Sequence, residues 1–247
     1  MTTKVIAIEI TTSDPDRSRQ VCRTVSGTDS EQRKGAVWLP VGDTWLILRP
    51  RSDSAGADGV TAIELEADDL AMRAAAIGRW EPDLSHDHER LEFEINGIRV
   101  GISQSGSTEL PVDPGSPNGA TLDHLALLVA DLEQASERWR AITGVEAEQM
   151  GFHPLSDGAF SAARVHLGSA MIELVCPTPG HDTPMASRLI SRGEGPAALA
   201  LPVGDLGATL DRLRAMEVRV DHRPPHWMIH PRHASGVLVQ LTPRVEH

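Results

Sequence analysis

The sequence predicts an α+β fold in two domains, and three observations carry that prediction. A short apolar strand, a turn containing Asp and an amphipathic helix recur four times along the chain. Strand-like runs, mostly hairpins, follow each helix. A stretch rich in Pro and Gly, Ser105 to Ala120, separates the four copies two and two. Each copy therefore reads β-α-β-β-β. The predicted layout is a domain over residues 1–104, a connector over 105–120 and a second domain over 121–247.

The copies begin at Val5–Gly27, Thr61–Gly78, Leu122–Gly144 and Ala197–Met216. Their strands are β-rich or alternate apolar with polar residues, and their helices carry apolar residues at three-to-four spacing. The third copy shows this best. Leu132, Ala135, Trp139 and Ile142 mark a buried stripe, with Asp131 as N-cap, Gln134 as its box partner and Gly144 as the stop. Gly35–Pro50 reads as a hairpin turning at Gly42-Asp43, and Ser161–Pro177 as one turning at Gly168-Ser169. Leu91–Ser103 turns at Asn96-Gly97, and His226–Leu241 supplies the last strands. The connector holds three prolines and no apolar periodicity, as an exposed linker requires.

Composition narrows the function. The 247 residues carry a formal net charge of −12, which argues against nucleic acid, because a phosphate backbone needs a Lys/Arg face. Aromatic residues are only 3% and Tyr is absent, so a base-stacking platform is not expected. No apolar run approaches the ~18 residues of a membrane helix. The start, MTTKVIAIEI, has no basic region followed by a long apolar stretch, so no signal peptide is read. Two cysteines, Cys22 and Cys176, make no disulfide framework and suit a reducing cytoplasm. The expected partner is a small molecule, and the expected state a monomer or homodimer. There is no P-loop, no GxGxxG after a strand, no GxSxG elbow and no HExxH.

Three stretches of the C-terminal half, LDHLALLVADLEQA, MIELVCPTPGHDTPMASRLISRGEG and HPRHASGVLVQLTP, resemble methylmalonyl-CoA epimerases. The repeat pattern as a whole resembles the vicinal oxygen chelate superfamily, which also holds glyoxalase I, extradiol dioxygenases and bleomycin-resistance proteins. In the N-terminal half the likeness rests mainly on VWLPVGDTWLILRP. The resemblance implies that paired βαβββ units form an open, cupped mixed sheet with helices outside. It also implies a divalent metal in the cup, held by a His on the first strand and a Glu or Gln on the last strand of each unit.

Carried over position by position, His124 and Glu173 match the two ligands of the third unit. In the fourth unit the positions fall on Ala198, where His is expected, and on Gln240, where the epimerases have Glu. In the N-terminal half they fall on Ile6, Leu46 or Ile47, Ala62 and Gly101, none of which binds a metal. The resemblance thus implies a metal (zinc, cobalt, manganese, nickel or iron) on His124 and Glu173 alone. An extradiol dioxygenase needs two His and a Glu for iron, and Ala198 and Gln240 remove two of those three. His124, Glu173 and Asp157 are the implied catalytic residues, with Gln240, His230 and Arg192 as substrate contacts. Arg188 and Arg223 join Arg192 as candidates for the phosphates of an acyl-CoA. His153, His166, His226 and His233 are further histidines of this half, and Asp83, His86, Asp87, His88 and Glu89 form a polar loop cluster.

Two function classes follow. The first is an isomerase or lyase that moves a proton next to a carbonyl, on an acyl-CoA or other carboxylate. The second is a binding or resistance protein that holds a small molecule in the cup without turnover. The retained His124 and Glu173 favour the first, and the lost positions at Ala198 and Gln240 favour the second.

Overall fold

A computed structural model describes residues 2–52, 57–81, 84–87, 89–107, 120–155, 158–180 and 183–244. The fourfold repeat is realised in full. The first copy is β1 (Thr3–Thr12), α1 (Pro15–Ser26), β2 (Glu31–Arg33), β3 (Ala36–Val41) and β4 (Thr44–Pro50). The second is β5 (Gly59–Ala67), α2 (Leu70–Ile77), β6 (Ser85–His86), β7 (Arg90–Ile95) and β8 (Ile98–Gln104). The third is β9 (His124–Leu128), α3 (Leu132–Thr143), β10 (Glu148–Leu155), β11 (Gly158–Leu167) and β12 (Ala170–Pro177). The fourth is β13 (Gly195–Val203), α5 (Leu206–Ala215), β14 (Val220–Arg223), β15 (His226–Ile229) and β16 (Leu238–Pro243). A helix the sequence reading did not anticipate, α4 (Pro184–Arg192), precedes the fourth copy.

The strands form two mixed sheets, ordered β2-β3-β4-β1-β5-β8-β7-β6 and β10-β11-β12-β9-β13-β16-β15-β14. In the first and fourth copies the last strand returns parallel to the first, with Ala7 opposite Trp45 and Ala198 opposite Leu238. The predicted hairpins turn at Gly42, Asn96-Gly97 and Gly168, all with positive φ.

All four repeat helices begin on an Asp whose carboxylate accepts a backbone N–H three residues on. Asp14 takes Arg17 at 3.0 Å, and Asp69 takes Met72 at 2.9 Å. Asp131 takes Gln134 and Asp205 takes Ala208, both at 2.9 Å. Each cap satisfies one of the donors that a helix start leaves unpaired. In α3, Ala135, Trp139 and Ile142 are buried as predicted, whereas Leu132 is half-exposed at the first turn. Gly144 stops the helix in the left-handed region, at φ 71°.

These caps also set the repeat register. His124 lies seven residues before its cap Asp131, and Ala198, Ala62 and Ala7 stand at the same distance from theirs. The first-strand position of the first copy is therefore Ala7, not Ile6. Gln240 stands two residues past Leu238, the cross-strand partner of Ala198, and Ile47 stands two past Trp45, the partner of Ala7. That choice settles on Ile47 over Leu46.

The chain forms two compact units that are not consecutive in sequence. One comprises Met1–Val5, Ile63–Glu109 and Leu125–Ala197, the other Ile6–Ala62, Leu110–His124 and Ala198–His247. The first unit contains α2 packed on α3, with Trp139 fully buried. Its polar network is also buried in part. Trp139 Nε1 donates to Asn96 Oδ1 at 3.0 Å, Asn96 Nδ2 donates to Glu194 Oε2 at 2.8 Å, and Ala130 N donates to Glu194 Oε1 at 2.7 Å. The second unit packs α1 on α5, and Arg17 Nη2 donates to the Met216 carbonyl at 2.6 Å. Cys22, on α1, faces an apolar lining with Ile10, Leu46 and Leu201, where burial pushes its thiol up to about 12. It is a packing residue.

In the first unit Asp68 accepts from Thr2 N at 2.7 Å, from Thr2 Oγ1 at 2.9 Å and from Ser105 Oγ at 2.9 Å. These bonds, the Thr2 backbone N–H foremost, hold its carboxyl down to about 2. A depressed folded-state value means stability present above the ordinary value of 3.8 and lost as pH falls towards about 2. Denaturant titrations from pH 5 to pH 2 are expected to show a flatter acid limb for Asp68→Asn than for the wild type. Parallel limbs would rule out this linkage.

Candidate functional site

β11 and β12 place the first candidate by cross-strand pairing. The turn at Gly168-Ser169 sets Arg164 directly opposite Glu173. Arg164 Nε and Nη2 both donate to Glu173 Oε1, at 2.9 and 2.8 Å. The Glu173 side chain is 14% exposed and that of Arg164 34%. Arg164 was missed by the residue-by-residue reading. The signal was present, since counting back equally from the turn puts residue 164 opposite 173. Glu148 follows in the same row, opposite Arg164 on β10, and its Oε2 lies 3.0 Å from His166 Nε2 on the exposed side.

His124 opens β9, and its imidazole is nearly buried, 8% exposed. Asp123 Oδ2 lies 2.6 Å from its Nδ1. A carboxylate there fixes the ring orientation and the tautomer. The resemblance assigns Glu173 as the polar partner of this buried His; the carboxylate found on its Nδ1 is that of the preceding residue, Asp123. The β9 entry is held by Asp123 N on the Ala200 carbonyl at 3.0 Å.

The remaining candidates are placed as follows. Gln240 is half-buried on β16, opposite Ala200 on one side and Met228 on the other. His230 is the N-cap of the short 3-10 turn Pro231–His233, and its Nδ1 accepts from Arg232 N at 3.3 Å. Its shared HP pair thus has a local structural use. Arg192 is exposed at the end of α4. The Arg188 guanidinium donates to the carbonyls of Pro196 and Ala197 through its two terminal nitrogens. Asp157 lies outside the described residues, as do Asp83 and His88 of the loop cluster. In that cluster Asp87 accepts the backbone N–H groups of Glu89 and Arg90, both at 2.8 Å, which is turn chemistry. His233 is held below its ordinary value by burial and by Arg232, so it stays neutral near pH 7.

The residues do not fit the four-ligand metal set. Ala198 has no donor atom, Gln240 offers a neutral amide, and Glu173 shares its Oε1 with a guanidinium. Among the described residues no three His, Cys, Asp or Glu converge as a metal group. In the first copy Ala7 and Ile47 belong instead to an apolar cluster with Ala36 and Trp45, against which Trp38 packs edge-on. In the second copy a Cβ on Gly101 would lie 2.2 Å from Glu64 Oε2 and 2.3 Å from Arg90 Nη2. An ion pair fills that place.

Comparison with known proteins agrees with this architecture. Residues 122–235 match the family model of a glyoxalase-like domain. Human mitochondrial methylmalonyl-CoA epimerase is 30% identical over 164 residues, 62% of this chain and 89% of that protein. The ethylmalonyl-CoA/methylmalonyl-CoA epimerase of Cereibacter sphaeroides is 30% identical over 49% of this chain and 95% of its own. The fold extends over the whole chain. A variant of 4-hydroxymandelate synthase from Streptomyces coelicolor superposes with a TM-score of 0.70 at 13% identity, covering 99% of this chain and 94% of that one. A halotolerant catechol dioxygenase gives 0.66 at 17% identity, covering 98% of this chain and 86% of that one. Among the described residues no helix is long and apolar enough to cross a membrane. Four βαβββ repeats in two mixed sheets, with epimerase homologues on the C-terminal half, show that the chain belongs to the vicinal oxygen chelate superfamily.

Proposed function

We propose that the chain is an enzyme that moves a proton at the carbon next to a carbonyl. The proposed substrate class is a carboxy-substituted acyl thioester of coenzyme A. The observation that carries this reading is the nearly buried Asp123–His124 pair. Asp123 on Nδ1 holds the ring in one orientation, as a positioned general base requires. His124 takes the α-proton and returns it, and Glu173 and Asp157 complete the proton-handling set. Gln240, His230 and Arg192 are proposed substrate contacts. The epimerase relatives, named for methylmalonyl-CoA, support the substrate class.

The test is hydrogen exchange. Methylmalonyl-CoA incubated with the protein in D2O is expected to take up deuterium at its α-carbon faster than without protein. His124→Gln is expected to slow this by about 100-fold, the ordinary worth of a positioned base. Binding of the thioester without exchange would instead establish the second reading, a ligand-binding protein. Ala198 and Gln240, at positions where a metal-dependent relative would carry donors, favour that reading.

A further inference from the structure

The Arg164–Glu173 pair carries an inference about how the site attracts its ligand. Resting on the enzyme reading above, we propose that Arg164, in place of a divalent metal, supplies the positive charge on this face and receives a carboxylate of the ligand. A guanidinium has five N–H donors in a rigid fork with two edges that each fit a carboxylate. The Nε/Nη2 edge is spent on Glu173 Oε1. The Nη1/Nη2 edge has no partner among the described residues, and the side chain is one-third exposed. That edge is open to a second, incoming carboxylate.

The surroundings support a shared cation. Glu173, the less exposed of the two, accepts from both Nε and Nη2 and so fixes the plane of the guanidinium. Glu148, the other acid of the row, is 62% exposed and engaged by His166, so solvent screens its charge. The same arrangement disfavours a metal. A divalent ion at Glu173 would have to displace or tolerate a cation already within hydrogen-bond distance.

The experiment measures binding on the full chain, so it is separate from turnover. Malonate is the anionic probe and malonamide its neutral counterpart, titrated by calorimetry into wild type, Arg164→Met and Arg164→Lys. Zinc, cobalt and manganese are titrated in parallel, and metal content is measured after purification without chelators. The expected result is malonate binding to wild type, none for malonamide, and a loss of about tenfold or more in Arg164→Met. Arg164→Lys keeps the charge without the two-donor edge and is expected to retain only part of the affinity. It carries the test if Arg164→Met fails to fold. Metal is expected below one equivalent in every sample. Malonate affinity unchanged in both variants, no malonate binding to wild type, or a stoichiometric metal that Glu173→Gln removes would each overturn the proposal. Absence of deuterium exchange with malonate binding intact would end the enzyme reading and leave the Arg164 anchor standing.

Discussion

Trp139→Ala is expected to cost about 3–5 kcal/mol of folding stability. Trp139 comes first by volume among the fully buried side chains of the described residues, so its truncation opens a cavity that close-packed surroundings fill only in part. The mutation also removes the donor to Asn96 Oδ1. Asn96 is 7% exposed, so its carbonyl would be left without that bond in a place water reaches poorly. Trp139→Phe separates the two effects. It keeps most of the volume and loses the N–H, so a cost of about 1–3 kcal/mol is expected, the ordinary penalty of an orphaned polar group. Urea denaturation of the three proteins reads both values. Equal losses for Ala and Phe would show that the hydrogen bond, not the volume, dominates.

Gly97→Ala should be nearly as damaging, for a different reason. Gly97 has φ 64° in the β7–β8 turn, and a Cβ there would lie 2.4 Å from the Glu194 carbonyl oxygen. Backbone cannot rotate away as a long side chain can. The left-handed conformation alone costs a residue with a Cβ about 1–2 kcal/mol, and the overlap adds about 1–3 kcal/mol. Gly35→Ala is the control. Its φ is 76° but nothing lies within 4 Å, so only the conformational part is expected. A midpoint shift in urea for Gly97→Ala no larger than for Gly35→Ala would mean that the contact with Glu194 relaxes at no cost.

The same contact explains part of the RGEG stretch that links this half to the epimerases. In this chain Glu194 binds Ala130 N and Asn96 Nδ2, and its carbonyl meets the Asn96-Gly97 turn. The segment reads in sequence as a family mark and in the fold as a clamp.

What the sequence determined by itself was local. The four repeats, the Asp caps, the hairpin turns and the Gly144 stop all rest on hydrogen bonds spanning a few residues, or on a φ that Gly adopts freely, and they were legible without coordinates. Glu173, Ala198 and Gly101 were singled out by the family resemblance, carried over residue by residue, and not by any periodicity of this chain. The tertiary structure decided what met those residues. Arg164 reaches Glu173 only through the β11–β12 register, and Ala7 rather than Ile6 takes the first-strand place because the Asp14 cap fixes the count. Asn96 finds Glu194 across 98 residues of chain. Partners this far apart depend on which surfaces are buried together, and burial is a property of the packed molecule, which no periodicity in the sequence encodes.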